Sequence, residues 1–220
     1  MKKFSLYILF AFMAALTAGL SSCSETSDDV EEFPNWQATN DQFFDQKYAE
    51  VKQLADGGSA EWKVIRSWSL EANVATHSYD HILVDVLQPG TGSGCPLYTD
   101  SVKVHYSGRL LPSASYPDGY EFDKSWTGTF NEATAVPSTF AVSAVVRGFS
   151  TALQNMHIGD KWRVYIPYQL GYGDSATPGA AYSTLIFDIE LVGYYRANYS
   201  SMQAPAKDGS VQRRGEWIYE

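Results

Sequence analysis

The feature that most constrains this chain is a change of hydrophobic period. From Asn40 to Ala55, Phe44, Tyr48, Val51 and Ala55 recur at steps of four, three and four, one stripe of a helix that Asn40 or Asp41 can cap. Past "DGGSA" the period falls to two. "HILVDVLQ" sets Ile82, Val84 and Val86 against Leu83, Asp85 and Leu87, and "SVKVHYSGRL" sets Val102, Val104 and Tyr106 against Lys103, His105 and Ser107. "TLIFDIELVGYY" places Leu185, Phe187, Ile189 and Leu191 on one face; "WKVIRSWSL", "EFDKSW", "KWRVYIP" and the short "TFAV" read as further strands. One more helix is visible, "VVRGFSTALQNM", with Phe149, Leu153 and Met156 at steps of four and three. A sheet with one apolar face must cover it. The expected fold is therefore α+β: a curved antiparallel sheet, or half-barrel, wrapped on one short helix, with an N-terminal helical extension.

The ends bear on where the chain goes. Lys2 and Lys3 precede an apolar run from Phe4 to Leu20, and "LSSC" follows. That order reads as a secretory signal, and cysteine after two serines resembles the lipobox of bacterial lipoproteins. Cleavage before a lipidated Cys23 is the expectation. It removes two lysines and no acids, leaves 198 residues, and takes the net charge from −9 to −11. So acidic a chain repels nucleic-acid phosphates, and none is expected as a partner. Cys95, the other of two cysteines, is then left without an intrachain partner. "SETSDDVEE" carries five acids and no base. It reads as a solvated tether, and it also resembles the acidic export signal of some Gram-negative lipoproteins. The expected layout is a signal over 1–22, lipidated cysteine and tether over 23–37, helix and strand extension over 38–80, the main domain over 81–196 and a polar, loosely ordered tail over 197–220.

Chemistry that needs a metal or nucleophile finds little here. The four histidines are scattered without ligand spacing, and no G-x-S-x-G is present. "PGTGSGCP" contains G-x-G, yet Cys95-Pro96 follows where a nucleotide loop would open a helix. No cofactor is expected. The start of the second helix is more telling. Helix starts favour small polar caps, whereas this one opens on Val145, Val146, Arg147, Gly148 and Phe149.

In order along the chain, "VKVHYSGRL", "YEFDKSW", "FAVSAVVRGFSTALQNMHIGDKWRVYIP", "LGYG" and "STLIFDIEL" resemble the FKBP-type peptidyl-prolyl isomerases. The resemblance covers Ile82 to Tyr195. It implies an aromatic pocket between helix and sheet that receives a proline ring. Tyr106 would be one wall, followed by Phe122 and by Asp123, the latter either a loop carboxylate in water or a buried acceptor for pocket hydroxyls. Val145 and Val146 would form the edge, with the Val146 N–H facing the peptide. Phe149 would be the floor, where the family most often has tryptophan. Tyr172 would offer its hydroxyl to a substrate carbonyl, and Phe187 would close the far wall. Gly148 is expected to let the backbone turn tightly into the helix.

Three departures from the family pattern stand out: Ala144 where an acid often sits, Ser138 near a position usually apolar, and Gly179 where an isoleucine is usual. The last two imply a thinned wall. The resemblance implies an enzyme acting on proline-containing polypeptides, with macrolides of the rapamycin type as further ligands. A lipid anchor would place it in the cell envelope, as an outer-membrane lipoprotein facing periplasm or surface. The alternative is a peptide- or protein-binding module with a weakened or inactive site.

Overall fold

Ten elements follow one another in the computed structural model, which describes residues 31–177, 179–197 and 215–220. They are α1 (Trp36–Asp56), β1 (Trp62–Arg66), β2 (His81–Gln88), β3 (Ser101–Arg109), β4 (Glu121–Lys124), β5 (Ser138–Ala141), α2 (Arg147–Leu153), β6 (Lys161–Ile166), β7 (Leu185–Ala197) and β8 (Gly215–Ile218). The signal-like segment, Cys23 and most of the acidic tether lie outside the described residues.

The strands form one antiparallel sheet in the order β1-β2-β6-β7-β3-β4. β7 is its spine. It pairs with β6 from Leu185 to Glu190 and with β3 along almost its whole length. Where β6 stops, β8 takes up the same edge, pairing Tyr194–Ala197 with Gly215–Ile218. β4 and β5 likewise share the outer edge of β3. The alternation in the sequence becomes burial: Trp162, Val164 and Ile166 of β6, and Leu185, Phe187, Ile189 and Leu191 of β7, all enter the core. α2 lies across this face and contributes Phe149, Ala152 and Leu153. Each such fully buried large side chain is worth about 1.5–3 kcal/mol.

Leu83 faces the other way and is also buried, against Phe44 and Val51 of α1. The sheet is thus covered on both faces at its β1–β2 end. The extension is no separate appendage. β1 pairs with β2 in the same sheet, and the described residues from Glu32 onward belong to one compact unit.

Three expectations change. α1 begins at Trp36, and its N-cap is Asn35 in the left-handed region (φ 49°), with no side-chain capping bond. Asn40, expected as a cap, is fully buried inside the helix. Its Nδ2 donates to Trp36 O at 2.8 Å, and its Oδ1 accepts the Thr184 N–H at 2.7 Å. Trp36 Nε1 donates to Ser183 Oγ at 2.7 Å, so α1 is tied to the segment just before β7. Second, the tail is not loose throughout: β7 runs on to Ala197 and the tail supplies β8. Third, Gly148 makes no tight turn. It is the second residue of α2, and a Cβ there would lie 2.3 Å from Ile166 Cγ2. Glycine is needed because the helix start presses on β6.

Candidate functional site

α2 and the sheet leave a cavity of about 290 Å³ between them, lined by Tyr106, Asp123, Phe140, Ala144, Val145, Val146, Phe149, Tyr172 and Phe187. Register explains how the strands reach it. Phe187 of β7 stands opposite Val164 on one side and Gly108 on the other. A Cβ on Gly108 would come within 2.5 Å of the Phe187 ring and 2.7 Å of the Phe122 ring. The missing side chain therefore gives both rings their seats.

The aromatic rings meet edge to face, the favourable quadrupolar arrangement. Phe149 and Phe187 have centroids 4.9 Å apart at 89°, Tyr106 and Phe149 lie 5.9 Å apart at 83°, and Phe140 and Phe149 lie 5.9 Å apart at 66°. Phe149 and Phe187 are only 3% and 4% exposed, so they form the closed end. Tyr172 is 42% exposed and stands at the mouth.

Polar groups sit at the rim. The Tyr106 hydroxyl donates to Asp123 Oδ2 at 2.8 Å. Burial first, and then this bond, hold the Tyr106 hydroxyl far above the ordinary tyrosine range. Burial, with the Asp123 charge adding to it, pushes the Tyr172 hydroxyl up as well. Both therefore remain O–H donors at neutral pH. Val146 is the N-cap of α2 and has no side-chain acceptor to offer. Its carbonyl accepts the Ser150 N–H at 2.9 Å. Among the described residues its own N–H has no hydrogen-bond partner, which leaves a donor at the cavity edge.

Seven of the eight residues singled out from sequence in this domain come together here. The eighth, Phe122, does not line the cavity. It stands behind the wall, 5.4 Å from Phe187 at 90°. Asp123 is exposed rather than buried, and the one hydroxyl it holds is that of Tyr106. Phe140 was missed. It lies two residues beyond Ser138 in β5 and fills the wall that Ser138 was expected to thin. Only the step of two along a short strand signals it. Gly179 is elsewhere, beside Leu110 and Tyr120, in a depression shared with Glu32, Phe33, Ser115 and Tyr116. Of the three departures, Ala144 alone borders the cavity.

Residues 95–192 match the family model described as FKBP-type peptidyl-prolyl cis-trans isomerase. This stretch is an FKBP-type domain. A macrophage infectivity potentiator of Trypanosoma cruzi is 40% identical over 133 residues, 60% of this chain and 56% of that protein. An FKBP-type 22 kDa peptidyl-prolyl cis-trans isomerase of Escherichia coli K12 is 37% identical over 109 residues, 49% of this chain and 47% of its own. The chain thus spans about half the length of the curated relatives it matches. A solved peptidyl-prolyl cis-trans isomerase of Pseudomonas syringae pv. tomato aligns at 28% identity with a TM-score of 0.46, over 70% of this chain and 94% of that one. Residues 95–192 hold every cavity residue named above, and α1, β1 and β2 precede them.

Proposed function

We propose that this protein is a peptidyl-prolyl cis-trans isomerase acting on proline-containing polypeptides in the cell envelope. The observation that carries the reading is the cavity: a proline-sized aromatic cup of Tyr106, Phe140, Phe149 and Phe187 with hydroxyl and amide donors at its rim. Amide resonance sets a barrier of about 18–20 kcal/mol, so an X–Pro bond turns over uncatalysed in tens to hundreds of seconds at about 25 °C. Twisting the C–N bond breaks that resonance and leaves a carbonyl less polar than in the planar amide. An apolar cup favours the twisted form over the planar one, which is catalysis by differential binding. Phe149 takes the proline ring, Phe187 and Phe140 wall it in, and Tyr172 and the Val146 N–H orient the peptide carbonyls. Tyr106, held by Asp123, keeps its ring edge against Phe149. The step needs no nucleophile, no metal and no proton transfer. The same cup suits the apolar ring of a rapamycin-type macrolide.

Location rests on the sequence: Lys2-Lys3, the apolar run and "LSSC" support export and a lipid on Cys23. A protease-coupled assay with a proline peptide tests the activity on the full chain. Catalysis well above the uncatalysed rate is expected. A rate no faster than the uncatalysed one overturns the enzyme and leaves the peptide-binding module.

A further inference from the structure

A second, larger cavity of about 390 Å³ lies where α1, the turn at His77–Tyr79 and the turn at Pro167–Gln169 meet. Phe44 is buried at its base, and Tyr79 and Tyr168 contribute rings. Its polar side is one-sided. Asp41 and Asp45 are four apart on α1 and so share a helix face. No lysine or arginine lines the groove, and among the described residues neither carboxylate is in an ion pair. Asp45 accepts only the Ser78 hydroxyl, at 2.5 Å. Gln169 adds a buried Oε1 that has no hydrogen-bond partner. The groove's one basic side chain, His77, is turned aside: its ring stacks on Tyr79 at 4.7 Å, and its Nδ1 faces Asp80 at 3.3 Å.

We propose that this groove binds an arginine side chain of the same polypeptide whose proline enters the aromatic cup; for the identity of that occupant it rests on the isomerase reading. Asp41 faces the Tyr168 hydroxyl and Asp45 the Ser78 hydroxyl, contacts that leave both negative charges without a cation in the groove. A guanidinium brings five donors, a permanent charge and a flat face that stacks on aromatic rings. An ammonium is compact and strongly hydrated, and uses the rings less well. The two sites are close enough for one chain to span. Gln169 lines the groove and Tyr172 the cup, and three residues reach at most about 11 Å. Arg147, next to the cup's edge residue Val146, ties the two together by donating from Nη2 to Gln169 O at 2.5 Å.

The test compares proline peptides carrying arginine three to six residues from the proline, on either side, with peptides carrying its neutral isostere citrulline. With the full chain, kcat/KM should be about tenfold higher for arginine in at least one placement. The gain should sit in KM with kcat unchanged, and it should shrink as salt rises, as charge attraction requires. The double variant Asp41→Asn, Asp45→Asn should lose the preference and keep its rate on citrulline peptides. Equal kcat/KM for arginine and citrulline everywhere, or a preference untouched by the double variant, overturns the proposal. If the wild type catalyses neither peptide, the isomerase reading has failed. Fluorescence anisotropy with a labelled proline-free arginine peptide then decides the groove: tighter binding than citrulline, lost in the double variant, supports it, and equal binding overturns it.

Discussion

Phe187 has two tasks, and a single substitution separates them. It belongs to the core cluster and also lines the cup. Phe187→Ala should cost about 3–5 kcal/mol of stability as a buried aromatic. If the ring did nothing more, turnover per folded molecule would be unchanged. The cup predicts that it falls well beyond the lost folded fraction, which thermal unfolding and the proline-peptide assay measure together. Gly108→Ala approaches the same ring from behind. The added methyl has no room beside Phe187 and Phe122, and overpacking costs about 1–3 kcal/mol. Turnover should drop because the wall is pushed into the cup; a variant melting lower with normal turnover would show that the wall's position is immaterial. The tyrosines give a further check. Both hydroxyls are raised above the ordinary range, so neither loses its proton below about pH 10. Turnover should therefore be level from about pH 7 to about pH 9 as far as the rim tyrosines decide it. Stability held by these neutral hydroxyls is complete below the unfolded tyrosine value and falls only as pH rises beyond it. A fall in kcat/KM centred below pH 9 and retained in Tyr106→Phe and in Tyr172→Phe would assign the titration to another group.

At the scale of elements, the first helix is held by its polar face as much as by its apolar one. Asn40 sits fully buried and meets the Thr184 N–H just before β7. Asn40→Ala leaves that buried donor unpaired, at about 1–3 kcal/mol, and the melting temperature should fall by several degrees. Turnover at a temperature where the variant is folded should be unchanged, because no atom of Asn40 reaches the cup; an unshifted melting temperature would mean that water replaces the bond at no cost. This element was also the one misjudged at its start. An asparagine ahead of an apolar stripe looks like a cap, and only the tertiary partner at Thr184 shows that it belongs to the interior. The stripe itself was legible because a 3.6 period is local. So were β2, β3, β6 and β7, whose alternation is long enough to count. β8 was not, since the four residues Gly215–Ile218 carry too little pattern and owe their conformation to the free edge of β7. The cup was readable as ordered motifs, and Tyr106, Phe149 and Phe187 fell where expected. Phe122 and Phe140 exchanged importance because facing is decided by register: Phe140 pairs with Val102 across β5–β3 and turns inward toward Phe149.

For the whole molecule, charge and attachment go together. A protein of net charge −9 gains little from an anionic membrane surface, so a lasting hold calls for acyl chains, each buried CH₂ worth about 0.8 kcal/mol. Cells labelled with a radioactive fatty acid should mark the wild-type chain and leave Cys23→Ala unmarked; equal labelling would remove the anchor. The placement of β7 has its own bearing on folding. The middle strand of the sheet is made after both of its flanks: β1, β2 and β6 lie on one side of it, and β3 with β4 and β5 on the other. Until Leu185–Ala197 has left the ribosome, these are two half-sheets with nothing between them. Pairing across such sequence distances is slow because loop closure precedes any reward. The two halves thereby stay open to one another until β7 is added, and the sheet closes only when Leu185–Ala197 takes its place between them.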